Sequence, residues 1–285
     1  MNEHYTPGVL ASLATRLTDR DRGLLRLVWT HKVLTCHQIA QIGFNGPITA
    51  RHRLVRLHRL GVLDRFRPKP PTGSAPWHYV LGESGAAVLA AEGGVDLAAF
   101  GYRRDRALSI AFSQRLAHTV GANDVFARLY GTARQTAGCR LDTWWTEARC
   151  AAQWGKHVRP DAYGRWTENG LTLDFFLEYD TGTETFDRVL AKLSGYAALT
   201  AATGIATPVL FLTTSARREL SLHNRLQLRA AQLSVPSATA VAGLEGPESA
   251  IWLPHNRQDV RRRLVELANH WPQPGSATGA EGGGQ

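Results

Sequence analysis

Residues 47–60 read PITARHRLVRLHRL. Pro47 suits the first position of a helix, where the N–H it lacks has no partner anyway. Leu54, Leu57 and Leu60 recur at three-residue spacing, so one side of the helix is predicted to be buried. His52, Arg53, Arg56 and Arg59 fall on the other side, with Thr49 and Arg51 near the start. A short helix with a basic open face suits the DNA major groove. Arginine bonds bidentately to guanine O6 and N7 and also grips phosphate.

Upstream, residues 18–30 (TDRDRGLLRLVWT) predict a helix capped by Thr18, with Asp19 and Asp21 in its first turn. Residues 35–42 (TCHQIAQI) predict a second, capped by Thr35, and the turn GFNGP leads into the basic helix. Gly61 ends that helix. VLDRFR and WHYVL then flank the Pro/Gly-rich loop PKPPTGSAP, the pattern of a hairpin. Three helices followed by a hairpin predict a winged helix-turn-helix over 18–92, with ESGAAVLAA packed behind it. Arg67 and Lys69 in the wing would touch phosphate or the minor groove. Residues 1–17 are expected to be flexible, and 93–112, with Arg103, Arg104 and Arg106, to connect to a second domain.

The charge distribution agrees. The 285-residue chain carries a formal charge of +9. Residues 1–110 hold 15 Lys+Arg against 8 Asp+Glu, and the remainder 18 against 16, so the excess sits with the basic helix. Basic side chains displace counterions condensed on DNA, which makes double-stranded DNA the expected partner. Lysine occurs only at Lys32, Lys69, Lys156 and Lys192, a bias that a GC-rich genome also produces. Apolar residues make up 44% of the chain, which excludes disorder throughout. No apolar run long enough for a membrane span and no secretory signal occurs, so the expected location is cytoplasmic. Three cysteines without CxxC spacing argue against a disulfide framework or a zinc finger. GxSxG, P-loop and GxGxxG patterns are absent, which removes serine hydrolase and nucleotide-cofactor readings.

The second half predicts a helix at 113–136, extended runs at 141–147, 157–163 and 171–179, a helix at 183–201, a buried strand TPVLFLTT, a helix at 215–231 and a last strand SATAVAGL. Residues 272–285 are a low-complexity tail with nothing to bury. Asp161 sits in RPDAY, and Glu178 and Asp180 in FFLEYD, at predicted strand ends. Adjacent strands would bring these carboxylates together, and two or three carboxylates with a substrate phosphate suit Mg2+ or Mn2+. The ion would polarise a phosphodiester and activate water. Lys192 on the following helix would stabilise developing charge, with Tyr196 one turn further on the same face.

This α-β-β-β-α-β order, with PD and then E-x-D, resembles the PD-(D/E)XK nuclease superfamily. The resemblance implies a restriction-endonuclease-like domain over 113–271, with Asp161 and Glu178 as metal ligands. The position two residues after the acid, where the family usually has lysine, is Asp180 here. Lys192 fits members that carry the lysine on the next helix. Over residues 18 to about 215 the chain also resembles the replication-relaxation family of actinobacterial plasmids and integrative elements. The stretches that carry this resemblance are LTDRDRGLLRLVWTHKVLTCHQIAQIGF, ARHRLVRLHRLGVLDR, WHYVLGESG, LAHTVGANDV (with His118, Asn123 and Asp124), RPDA and LEYDTGTETFDRVLAKLSGY. It implies a DNA-binding protein of plasmid or integrative-element DNA, acting in replication, relaxation or transfer beside replication or transfer proteins.

Whether DNA is cut stays open at this point. No His-x-His pair marks a tyrosine relaxase. If DNA is nicked, metal-activated water at Asp161 and Glu178 is a better agent than Tyr163 or Tyr196. The alternatives are a non-catalytic regulator that uses the nuclease-like fold as a scaffold or dimerisation module, and an adaptor whose winged helix binds a replication protein. A homodimer is an option that winged-helix proteins often take. The tryptophans, Trp144, Trp145, Trp154 and Trp166 among them, suit core packing better than base stacking.

Overall fold

The computed structural model describes residues 7–69, 73–228, 232, 235–257 and 259–271. It forms two compact units, Met1–Gln135 and Thr136–Gln285. The low-complexity tail lies outside the described residues, as does the tip of the predicted wing at residues 70–72.

The first unit opens with α1 (Pro7–Arg16), where the sequence predicts a flexible segment. Burial of Leu13 and of Leu17 just beyond the helix accounts for the difference. Next come α2 (Asp19–His31), β1 (Leu34–Thr35), α3 (Cys36–Gly43), α4 (Pro47–Arg59), β2 (Leu63–Phe66) and β3 (His78–Leu81). The strands form an antiparallel sheet in the order β1-β3-β2. Helix starts follow the side chains. Thr18 and Asp21 close a capping box on α2, and Thr35 and Gln38 close another on α3. The α5 helix (Glu83–Glu92) lies so close to the turn before β2 that a Cβ on Gly82 or Gly85 would come within 2.2 Å of the Gly61 or Val62 carbonyl oxygen. The LGESG sequence is therefore a packing requirement.

The expected connector is structured, as α6 (Leu97–Phe100), α7 (Arg104–Leu108) and a 3-10 turn (Ser109–Phe112). The long helix expected to open the second domain, α8 (Leu116–Gln135), packs along α3 and falls in the first unit. Gln38 Nε2 donates to the Val120 carbonyl at 2.8 Å. Arg134 donates to the Gln41 and Phe44 carbonyls, each at 3.2 Å.

The second unit is a six-stranded mixed sheet in the order β4-β5-β6-β7-β8-β9. Its strands are β4 (Cys139–Thr146), β5 (Ala162–Glu168), β6 (Leu171–Asp180), β7 (Val209–Thr213), β8 (Ser237–Val241) and β9 (Leu253–Pro254). The β4, β5 and β6 strands are antiparallel neighbours, β6-β7 and β7-β8 are parallel, and β9 returns antiparallel. The α10 helix (Phe186–Thr203) links β6 to β7, and α11 (Ala216–Leu228) links β7 to β8. Both cover one sheet face, where Phe176, Val209 and Phe211 pack against Leu193, Leu222 and Leu226. Two expectations need correction. The strand predicted at 157–163 begins only at Ala162 and runs to Glu168, and α9 (Glu147–Trp154) stands between β4 and β5. The β5–β6 connection is a two-residue hairpin turn of Asn169 and Gly170, with φ of 51° and 84°. No described helix is long and apolar enough to cross a membrane.

A buried ion pair fixes the first unit. Asp21 is fully buried. It accepts from the Thr18 backbone N–H at 2.8 Å, the Thr18 hydroxyl at 2.6 Å and Arg53 Nε at 3.0 Å, and the Arg53 Nη2 also bonds it. Burial pushes the Asp21 carboxyl up, but the Arg53 and Thr18 bonds outweigh it and hold the group below its ordinary 3.8. Its folded value is depressed, so this contribution is present above pH 3.8 and is lost as pH falls through the folded value. Arg53→Ala should strand a buried carboxylate and cost about 3 kcal/mol or more. Calorimetric melting of the full chain at neutral pH checks this; an unchanged melting profile counts against the ion pair as the organiser of α2 and α4.

Candidate functional site

Two sets of side chains carry chemistry, one in each unit. In the first, α4 buries Ala50, Leu54 and Leu57 and presents Thr49, Arg51, His52, Arg56 and Arg59 to solvent. No acidic residue interrupts this helix. Arg53 is the exception among the expected DNA-facing residues. It turns back to Asp21 and donates to the Arg16 carbonyl at 2.9 Å, so it holds α4 in place instead of facing outward. Ile48, which the charge pattern does not single out, is 72% exposed in the first helical turn. On the hairpin, Arg67 and Lys69 are exposed. Arg67 Nε donates to the Ala75 carbonyl at 2.6 Å. Arg65 joins this hairpin set without having been expected there; its guanidinium lies 4.1 Å from the Trp77 ring centroid. The clue is its position in VLDRFR, where strand alternation separates it from Asp64 and Phe66.

The LAHTVGANDV residues serve packing in the first unit. Asn123 is buried and donates to the Val33 carbonyl at 2.9 Å and the His31 carbonyl at 3.2 Å. Asp124 accepts from Gln38 at 3.3 Å, and His118 is half-buried on α8.

In the second unit, Glu178 points from β6 under α10, on the same face as Phe176. Only 4% of its side chain is exposed. Lys192 Nζ donates to Oε2 at 2.7 Å, and the Tyr196 hydroxyl donates to Oε1 at 2.5 Å. Asp161 lies just before β5, one residue from the Ala162–Leu177 pair and therefore opposite Glu178. Its Oδ2 accepts from the Tyr179 N–H at 2.8 Å. Three of the four expected catalytic residues, Asp161, Glu178 and Lys192, thus come together. Asp180 does not join them. Arg218 Nε donates to its Oδ2 at 2.7 Å and the Gly182 N–H to its Oδ1 at 2.7 Å, which makes it a helix-tethering turn residue.

Burial and the Asp161 charge push the Glu178 carboxyl above its ordinary range, against the pull of Lys192 and Tyr196. Burial opposes the Lys192 charge, but Glu178 and Asp161 outweigh it and hold the ammonium above its ordinary range. Cys150 on α9 is buried and pushed up to about 12 by burial and by Asp161, so it is no thiolate. Neither candidate tyrosine is set up as a nucleophile. Tyr196 is buried, and Tyr163 donates to Asp174 at 2.5 Å, with burial and that bond keeping its proton on. Trp166 is fully buried, while Trp145 and Trp154 stack on each other at 5.2 Å, in accord with core packing.

The carboxylates of Asp161 and Glu178 are hard oxygen donors of the kind Mg2+ takes. The arrangement nevertheless does not fit that ion. Mg2+ keeps several waters and needs open space around its protein oxygens. Glu178 has almost no exposed surface, and each oxygen already accepts a strong bond. Among the described residues no group of three His, Cys, Asp or Glu side chains is placed to hold a metal. As it stands, the cluster ties β6 to α10. Lys192→Met should therefore push the Glu178 titration further up than in the wild type, because the stabilising charge is gone. Carboxyl carbon NMR titration reads this directly; a downward shift would mean that Lys192 does not neutralise the acid.

Comparison with curated proteins and with solved structures yields no match. The sequence does match the replication-relaxation family over residues 25–213, a span from α2 through β7 that contains both α4 and the Glu178 cluster. That span is well over half of the chain, and the protein belongs to the replication-relaxation family.

Proposed function

We propose that this protein binds double-stranded DNA through its first unit and acts in the replication or relaxation of plasmid or other mobile-element DNA. The observation that carries the reading is the face of α4. Arg51, His52, Arg56 and Arg59 are all exposed there, opposite a fully buried apolar face and with no carboxylate on the helix. The element order α2-β1-α3-α4-β2-β3, with a three-stranded sheet, supports a winged helix-turn-helix. In that fold α4 enters the major groove, and the β2–β3 hairpin, with Arg65, Arg67 and Lys69, lies along phosphate. Family membership supplies the biological setting.

For the second unit we favour a nuclease-like scaffold without cleavage. Three antiparallel strands, the α10 crossover and parallel β7 support the restriction-endonuclease-like order. The buried, doubly bonded Glu178 favours the scaffold reading over metal-dependent nicking.

Arg56→Ala combined with Arg59→Ala should weaken duplex binding by about 1–3 kcal/mol for each of the two arginines that grips a base bidentately. Thermal stability should change little, because both side chains are exposed. Wild-type affinity should fall steeply with salt. Fluorescence anisotropy across a salt series reads both effects, and a double variant that binds like the wild type places the DNA surface elsewhere. Arg53 is unsuitable for this test because its loss disturbs Asp21. Supercoiled plasmid incubated with the protein and Mg2+ or Mn2+ should stay supercoiled. Nicking that vanishes in Asp161→Ala would overturn the scaffold reading while leaving the DNA-binding one intact.

A further inference from the structure

Lys32, which follows α2, is one of two non-glycine residues with positive φ among those described. Its φ of 69° and ψ of −46°, with a 2.8 Å bond from the Val33 N–H to the His31 carbonyl, make it the centre of a γ-turn of the rare, strained hand. Strained non-glycine turns persist only where the surroundings over-determine them, and they gather at functional sites. The surroundings here are explicit: Asn123 on α8 grips both the His31 and Val33 carbonyls, one on each side of Lys32.

The turn places Lys32 at the wall of a cavity of about 420 Å³ in the first unit. That volume lies in the lower range of small-molecule sites. Val28, Trp29 and Ile110 supply apolar surface, and Ser109 and Ser113 supply hydroxyls. Lys32, Arg103 and Arg106 are the charged residues of the wall, and no carboxylate lines it. Arg103 is paired with Asp105 at 2.8 Å, whereas Lys32 and Arg106 form no ion pair among the described residues. The cavity reaches Leu81, the end of β3 away from the wing, and no residue of α4 lines it.

We propose that this cavity binds a mononucleotide, with phosphate between Lys32 and Arg106 and the ring on the apolar wall by Trp29. The chemistry selects this class. Two unpaired cations with hydroxyls suit a phosphate, the apolar side chains of Val28, Trp29 and Ile110 suit an aromatic ring, and the volume admits one such unit. The site goes beyond the DNA-binding reading and does not depend on it.

Calorimetric titration of the full chain with AMP, adenosine and inorganic phosphate tests the site. AMP should bind saturably at one site, with adenosine and inorganic phosphate each weaker by about tenfold or more. Lys32→Gly is the informative variant. Glycine accepts the positive φ, so the protein should melt at or above the wild-type temperature. AMP binding should still fall by about tenfold, because the ammonium is gone. Arg106→Gln should weaken AMP similarly without touching the turn. Lack of saturable AMP binding up to about 10 mM would overturn the proposal. So would adenosine binding as tightly as AMP, or wild-type AMP affinity in both variants.

Discussion

A carboxylate taken out of water has to find bonds for both oxygens, and each unit of this protein is organised around one that does. Asp21 closes the α2 capping box through Thr18 and draws Arg53 from α4. One buried acid thereby fixes where α2 begins and how α4 lies against it. Removing either partner leaves a charge in a site without water, which is why such pairs cost more to break than they contribute when intact. Glu178 does the same in the second unit, tying β6 to α10 through Lys192 and Tyr196.

That requirement also separates what is legible in the sequence from what is not. Helix starts are legible, because Thr18, Thr35 and Pro47 act on their own neighbours. So is the buried side of α4, which follows from the helical period alone. Arg53 is not. At the edge of the open face, periodicity assigns it to solvent, and only the partner 32 residues away, Asp21, pulls it inward. The β5 strand is misplaced by the sequence reading although its signal is present: Asn169 and Gly170 between WTE and LTL mark a two-residue hairpin turn, and taking the PD stretch as strand hides it. The grouping of α8 cannot be read locally. Its pairing with α3 rests on long-range bonds from Gln38 and Arg134 to backbone carbonyls.

The carboxylate cluster shows a subtler limit. Sequence spacing places Asp161, Glu178 and Lys192 near one another, and the geometry agrees. Spacing does not reveal how many bonds each oxygen already makes. Tyr196 follows Lys192 by one helical turn, and its hydroxyl turns an acid beside a lysine into one enclosed on both sides. Asp180 shares the strand face with Glu178, yet Arg218 from α11 diverts it. A metal-like pattern in sequence and a closed ion-pair network in space thus use the same residues. Solvent access is the difference between them.

Net charge has to be partitioned in the same way before it says anything about partners. The first unit's basic excess includes Arg22 and Arg26 on Glu92, Arg53 on Asp21, and Arg104 on Asp64. Three carboxylates thus offset all but one of these four charges within the unit. The arginines of α4 form no ion pair with an acid among the described residues, apart from Arg53. Counterion release depends on cations free to meet phosphate. The exposed arginines of α4 are cations left free in this way, and Arg53, paired with Asp21, is what holds their face in position.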